Sequence, residues 1–320
     1  YLLKMKFKKP KFWDLEKQNY TSYFLFPFTI FLRLNNFFLD LSQKKKNHNI
    51  KTICVGNIYV GGTGKTPATI RLFNIFKKLN FNVCTGKKHY KEHLDEQIIL
   101  GNQTNLLCKK SRVEILEEAS KNKFELIIFD DGLQDKDLNY DLKIVCFDAN
   151  NWIGNGQLIP AGPLREKLDS LKKYDIVFLK NHNSKTNEIK EIIKKQNPLI
   201  KFFQMSLKPE NMQNFDLRQK YLIFSGVGDP KNFKKVLLDN NFKVIKEIIF
   251  PDHYDYQKDD IDKIRSEAEK LNASIVTTEK DFVKINKIDS KKINFLKISL
   301  EFDKEVELID FIKTRLNEKN

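Results

Sequence analysis

The chain has few of the residues that build a disulfide framework, a metal cluster or a membrane span. It carries four cysteines in 320 residues, Cys54, Cys84, Cys108 and Cys146. None forms a C-x-x-C pair and three lie in apolar, strand-like runs, so buried reduced thiols are expected and neither zinc nor disulfides are supported. Arginine is scarce as well, since seven of the 57 basic residues are Arg and the rest are Lys. The formal net charge of +15 suits an anionic partner: nucleic acid, a membrane surface or a phosphorylated substrate. Lys, Asn, Ile and Phe are abundant together, as an AT-biased genome would make them, so the charge does not choose among these partners. No apolar run is long enough to span a bilayer. The charge-free stretch Tyr20–Leu32 falls short of the ~20 residues a spanning helix needs, and no small-residue cleavage site follows it to suggest a signal peptide.

What is present is concentrated in one run, Thr52-Ile-Cys-Val-Gly-Asn-Ile-Tyr-Val-Gly-Gly-Thr-Gly-Lys-Thr-Pro67. An apolar strand breaks into glycines and ends in Gly64-Lys65-Thr66. Such a turn wraps backbone N–H groups around a polyphosphate, with Lys65 reaching the terminal phosphates and the Thr66 hydroxyl free to ligate Mg²⁺. The strict spacing asks for Gly where Tyr59 stands, and the glycines cluster instead as Gly61-Gly62-Thr63-Gly64. The loop is therefore a variant P-loop, and Gly61, Gly62, Thr63, Gly64, Lys65 and Thr66 are the expected nucleotide-binding residues. A tight strand-to-helix turn alone would not account for Lys-Thr or for the amphipathic segment behind it.

Further apolar runs alternate with helical or loop segments: Phe81–Thr85, Phe124–Phe129, Lys143–Phe147, Asp175–Leu179 and Ile200–Met205. That rhythm predicts a mostly parallel sheet with helices on both faces. It restarts at Tyr221 with a strand, the turn Ser225-Gly-Val-Gly228, a helix from Pro230, the strand Phe242–Phe250, a helix through Ile261, Ile264, Ala268 and Leu271, and the strand Ala273–Thr277. The expected fold is α/β: a P-loop NTPase-like sheet domain over 46–210, a smaller α/β domain over 211–320, and an N-terminal amphipathic helix within 1–45. The turn at Gly226 and Gly228 is read as structural, because a lone G-x-G is a weak phosphate signal.

A P-loop needs a carboxylate at the end of a neighbouring strand to hold the magnesium shell, and Asp130 and Asp131, behind Leu126-Ile-Ile-Phe129, are placed for that. Thr66, Asp130 and Asp131 are the expected metal ligands. At the N-terminus, a helix begun at Pro27 puts Phe28, Phe31, Leu32, Asn35 and Leu39 on one face and Thr29, Arg33, Asn36 and Asp40 on the other. Two readings fit it. The helix packs on the protein core, or it lies in a bilayer interface with the lysines of Lys4–Lys11 drawn to anionic lipid.

Five blocks make the chain recognisable: Gly56-Asn57 with Gly61–Pro67, Asp130-Asp-Gly-Leu-Gln134, Gly154-Asn-Gly-Gln-Leu-Ile-Pro-Ala-Gly-Pro-Leu-Arg-Glu166, Phe250-Pro-Asp-His253 and Thr278-Glu-Lys-Asp281. In this order they resemble the tetraacyldisaccharide 4′-kinase family of lipid A biosynthesis. The resemblance implies transfer of the γ-phosphate of ATP to the 4′-hydroxyl of a tetraacyldisaccharide 1-phosphate, at the cytoplasmic face of the inner membrane of a Gram-negative bacterium. It also implies two α/β domains with ATP in the cleft between them, a lipid substrate, a membrane surface as partner, and no nucleic acid. His253 is the best candidate for the base that accepts the hydroxyl proton, since of five histidines it alone lies in a family-like block. A His after Pro-Asp that merely caps a helix is the alternative. The resemblance points to an acid beside it from the pair Asp95-Glu96, so His253, Asp95 and Lys65 are the expected catalytic residues.

The chain departs from the family at two places. A Ser-Arg-Gly-Tyr-like turn after the second strand is replaced by Thr85-Gly-Lys-Lys-His-Tyr90, with Asp95 reached almost at once; Gly86 and Lys87 are the candidates for part of its work. Asp135 stands where relatives often carry His, and it is assigned no role. The rival reading from another class is a membrane-positioning ATPase with a deviant P-loop, but Val60 occupies the position where those enzymes carry a second lysine. A GTPase lacks its Asn-Lys-x-Asp run here, and a nucleic-acid binder lacks a basic-aromatic element or zinc spacing.

Overall fold

The structure, a computed structural model, describes residues 9–30, 48–90, 94–135, 137–181, 183–285 and 290–318. The chain folds into two compact units, one taking Lys9–His89, Thr104–Ser206 and Glu301–Asn320, the other Tyr90–Gln103 and Leu207–Leu300.

The larger unit holds strands β1 (Lys51–Gly56), β2 (Val83–Lys88), β3 (Leu106–Lys109), β4 (Leu126–Asp130), β5 (Leu142–Asp148), β6 (Ile176–Lys180) and most of β7 (Lys201–Pro209), and β12 (Ile298–Phe302) ends in it. They form one sheet in the order β12-β7-β6-β5-β1-β4-β2-β3. From β7 to β3 every neighbouring pair is parallel. Strand β4, Leu-Ile-Ile-Phe-Asp, is buried along its whole length, the continuous apolar run expected of a strand covered on both faces. Phe147, Val177 and Leu179 anchor one apolar cluster of this unit, Ile127 and Phe129 another. Cys54, Cys84 and Cys146 are buried free thiols, and burial pushes Cys54 and Cys84 up to about 12, as expected for inert core cysteines.

The smaller unit carries a second parallel sheet in the order β11-β10-β8-β9, from β8 (Lys220–Ser225), β9 (Lys243–Ile249), β10 (Ser274–Thr278) and β11 (Ile293–Leu296). Helices Pro230–Asp239 and Lys258–Lys270 lie where the 3.6-residue spacing puts them. The turn after β8 is structural: the Gly226 N–H donates to Asp281 Oδ2 at 2.9 Å. A Cβ on Gly226 would come within 3.1 Å of the Pro251 carbonyl oxygen, Asp281 and Tyr256.

These units differ from a simple division at residues 210 and 211. Helix Leu94–Gln103 belongs with the smaller unit, where Gln103 Nε2 donates to Glu279 Oε1 at 3.0 Å. Helix Glu305–Asn317 returns to the larger one, held by Arg71 on Glu305 (2.6 Å) and Arg315 on Asp175 (2.9 Å). Long-range polar contacts, invisible in local sequence, hold both helices in place.

A short helix, Tyr20–Leu25, with the Asn19 side chain accepting from the Ser22 N–H at 2.9 Å, precedes a 3₁₀ turn, Phe26–Phe28, that contains Pro27, and helical backbone resumes at Thr29–Ile30. The expected face beyond Ile30, with Phe31, Leu32, Asn35 and Leu39, lies outside the described residues. Within them the polar positions turn inward: Ser22 and Thr29 are buried, while Tyr20, Tyr23, Phe24 and Phe28 are exposed. Among the described residues no helix is long and apolar enough to cross a membrane.

Candidate active site

In the larger unit the loop after central strand β1 leads into helix Lys65–Lys78, with Gly64 as N-cap at φ +85°. That left-handed conformation suits glycine, and it turns the first amides of the helix toward the loop, the usual setting for a phosphate. The loop is braced from beneath. Buried Asn57 donates to Thr63 Oγ1 at 3.0 Å, and Lys180, at the end of β6, donates to the Gly62 carbonyl at 3.0 Å while pairing with Asp148 at 2.7 Å.

Strand β4 pairs with β1 and delivers Asp130 beside the loop. Its carboxylate accepts from Thr66 Oγ1 at 3.1 Å and Thr69 Oγ1 at 3.3 Å, and pairs with Lys87 Nζ at 2.5 Å. Asp131 follows at φ +56°, with Arg165 Nη1 at 3.0 Å and Lys65 Nζ at 3.9 Å from its Oδ1. Burial pushes the Asp131 carboxyl up, but Lys65 and then Arg165, Lys87 and Arg112 outweigh it and hold the group well below the ordinary carboxylate range. A hydroxyl and adjoining carboxylates at the loop are the hard oxygen donors Mg²⁺ takes when substrate phosphates and water complete its shell, so Thr66, Asp130 and Asp131 fit the ion.

The departures from the family pattern have structural explanations. Lys87 is buried against Asp130. Gly86 lies mid-strand, where a Cβ would stand 2.8 Å from the Phe129 ring, so its role is packing. Asp135 is the ion-pair partner of buried Arg112, whose other arm donates to the Asp131 carbonyl. The block Gly154–Glu166 divides its work. Asn155 holds the N-terminal segment through Ser22 Oγ at 3.2 Å and the Trp13 carbonyl at 3.0 Å. Arg165 reaches Asp131 and Gln134, and Glu166 accepts from Gln134 at 2.9 Å.

The charge pattern makes a stability prediction. Asp130→Asn is expected to cost about 3 kcal/mol, because it removes the carboxylate that pairs with the buried Lys87 ammonium, whereas Asp131→Asn, only partly buried, should fold normally and raise the magnesium concentration needed for activity. Denaturant melts and magnesium titrations check both. Parent-like titration of Asp131→Asn would remove that residue from the metal shell.

In the smaller unit, Asp95 sits in the first turn of helix Leu94–Gln103 and is buried. His253 follows β9 in a turn at φ +56°, its N–H bonded to the Gly226 carbonyl at 3.2 Å. The turn aims Nδ1 at Asp95, 3.0 Å from Oδ2 and 3.2 Å from Oδ1. His253 therefore does not act as a simple helix cap. Burial pushes the Asp95 carboxyl up, but the hydrogen bond from His253 and the nearby Lys280 and Lys284 cations prevail, and it lies well below the ordinary range. An ionised Asp95 only accepts, so Nδ1 of His253 carries a proton and donates it to that carboxylate. Helix Glu279–Ile285 supplies the cations: Lys284 Nζ lies 3.1 Å from Asp95, and Lys280 Nζ 3.3 Å from His253 Nε2.

A model of the tetraacyldisaccharide-1-P 4′-kinase family matches this chain over residues 22–96 and 82–317. The chain belongs to that family. It is 45% identical over 318 residues to a tetraacyldisaccharide 4′-kinase of Pelagibacter ubique strain HTCC1062, covering 99% of this chain and all of that one. A Rickettsia bellii tetraacyldisaccharide 4′-kinase is 34% identical over 293 residues, 86% of this chain and 89% of that one. Among solved structures, LpxK from Aquifex aeolicus, crystallised with ATP, has the same fold: TM-score 0.68 over 92% of this chain and 99% of that one, at 23% identity. Family membership sets the partitioning-ATPase reading aside, and the chain is a kinase with a P-loop α/β fold.

Several residues of the kinase site were not singled out in the sequence. Lys180 ends an apolar strand as Asp130 does, which is a usable signal, and Arg165 and Glu166 stand within a block quoted for its resemblance. Arg112 and Lys284 gave none, since their partners lie at distant or unrelated positions in sequence, and Lys87, a candidate for part of the replaced turn's work, gave no sign that its partner is Asp130.

Proposed function

We propose that this kinase transfers the γ-phosphoryl group of ATP to the 4′-hydroxyl of a tetraacyldisaccharide 1-phosphate, with Lys65 and the loop Gly61–Thr66 binding the triphosphate and His253 as base. The observation that carries the acceptor half of the reading is the Nδ1 contact of His253 with Asp95. A loop that only hydrolysed ATP has no need of an oriented imidazole, whereas an alcohol acceptor must lose a proton as the new P–O bond forms. In the step, the 4′-oxygen bonds to the γ-phosphorus, the bond to the bridging β,γ-oxygen breaks, ADP departs and His253 Nε2 takes the proton. Asp95 stabilises the imidazolium. Lys65 neutralises charge on the transferred group. Mg²⁺ held by Thr66 and the Asp130-Asp131 pair would supply further neutralisation at the phosphate oxygens.

The test is acceptor dependence. In detergent micelles, ADP release should rise many-fold when tetraacyldisaccharide 1-phosphate is added, one ADP per lipid phosphorylated; turnover indifferent to the lipid would contradict the reading.

Peripheral association with the cytoplasmic face of the inner membrane belongs to the same proposal. It is supported by the exposed aromatic side chains Tyr20, Tyr23, Phe24 and Phe28 and by the exposed Lys11 and Lys17 nearby, a combination suited to an anionic lipid interface. Phe24→Asp is expected to weaken co-sedimentation with anionic vesicles by about tenfold or more, since a buried Phe is worth ~1.5–3 kcal/mol, while ATP binding stays unchanged. Equal sedimentation of the variant would remove this helix from the interface.

A further inference from the structure

The helix Glu279–Ile285 follows β10 and carries the Glu-Lys-Asp of the Thr278–Asp281 block, to which the transfer step above assigns nothing. Asp281 is structural: it accepts from Gly226 N–H at 2.9 Å and Thr278 Oγ1 at 2.7 Å and fixes the helix start under the turn that bears His253. The next side chain in the block, Lys280, is thereby aimed at the imidazole. Its Nζ lies 3.3 Å from His253 Nε2 and 3.1 Å from Asp252 Oδ1, with Asp95 at 3.7 Å and Glu96 at 3.9 Å.

We propose that Lys280 is a positioning residue for the base: its ammonium donates to Nε2 of His253 and holds the imidazole neutral, proton on Nδ1, until the acceptor hydroxyl replaces it at Nε2. The inference rests on His253 being the base, as proposed above. An ammonium has no lone pair, so a hydrogen bond between Nζ and Nε2 requires Nε2 to be the acceptor. Asp95 imposes the same tautomer from the other side of the ring. A second proton on the ring would bring a like charge against Lys280. The ammonium is not stranded when the hydroxyl arrives, because Asp252 and Glu96 remain beside it, and these carboxylates raise the Lys280 pKa against the opposing effect of burial.

Among the described residues the charged groups around the ring are Asp95 and Glu96 from helix Leu94–Gln103, Asp252 from its own turn, and Lys280 and Lys284 from helix Glu279–Ile285, with Asp281 3.6 Å from Lys284. Asp95 favours a charged ring and the two lysines oppose it. Removing one lysine charge therefore has a defined sign: imidazolium becomes easier to form.

The experiment is a ¹⁵N NMR titration of His253 in the full chain, beside pH–rate profiles, for the parent, Lys280→Met and Lys280→Arg. The parent should show the neutral Nδ1–H tautomer, a result that needs no variant. In Lys280→Met the His253 midpoint should rise by about one pH unit, and the acidic limb of kcat should move up with it; Lys280→Arg should restore both. An Nε2–H tautomer in the parent, or a Lys280→Met midpoint that stays or falls, would overturn the inference and leave Lys280 an ion-pair partner of Asp252. A midpoint that rises while the acidic limb stays in place would uphold the Lys280 contact and refute His253 as base.

Discussion

Lys65→Ala is expected to abolish phosphoryl transfer, with kcat falling on the order of 10³-fold or more, about 4 kcal/mol of transition-state stabilisation. The fold should survive the change. Lys65 lies 3.9 Å from Asp131, and Arg165 remains 3.0 Å from the same carboxylate, so no acid is left without a cation. Loop geometry is set by Gly64 and by Asn57 and Lys180 beneath it, none of which depends on the Lys65 side chain. What the variant lacks is an ammonium at the start of the helix, where charge gathers on the transferred group. Rates of label transfer from γ-labelled ATP, with a thermal melt as control, check it; a folded variant with most of its activity would contradict the P-loop assignment.

His253→Ala should lower kcat by roughly 10²–10⁴-fold, the range for a positioned acid–base group, and leave ATP affinity nearly unchanged. Asp95→Asn tests the pair by sign. Asp95 lies well below the ordinary carboxylate range, so it stays charged throughout the pH range in which an imidazole titrates. Removing that negative charge makes imidazolium harder to form, and the neighbouring Lys280 and Lys284 cations push the same way. The acidic limb of the pH–rate profile should move to lower pH, opposite to the shift expected for Lys280→Met. The double variant should lose less than the sum of the two single losses, because the acid acts only through the ring. Strict additivity, or an unmoved limb, would return Asp95 to a structural role.

The parts of this fold legible from sequence are those where one local pattern carries the whole signal. Strands β1, β4, β5 and β6 read as continuous apolar runs because both faces are covered, and the loop reads because phosphate binding needs glycines at fixed offsets. Strand β3 was not seen: Leu106–Lys109 has four residues, sits at the sheet edge and is only half-buried. The assignment of helix Leu94–Gln103 to the smaller unit depends on a contact with Glu279, far along the chain. The site divides in the same way. Lys65, Thr66, Asp130 and His253 stand in motifs, whereas Lys87 beside Asp130 and Lys284 beside Asp95 exist only as tertiary ion pairs.

The most direct measurement is the phosphate content of the product. After incubation with ATP and magnesium in micelles, tetraacyldisaccharide 1-phosphate should gain the mass of one phosphate, and ³¹P NMR should show two sugar phosphomonoesters, the new one coupled to the 4′ proton. Recovery of the unchanged monophosphate with free inorganic phosphate, or a phosphate at any other hydroxyl, would contradict the account.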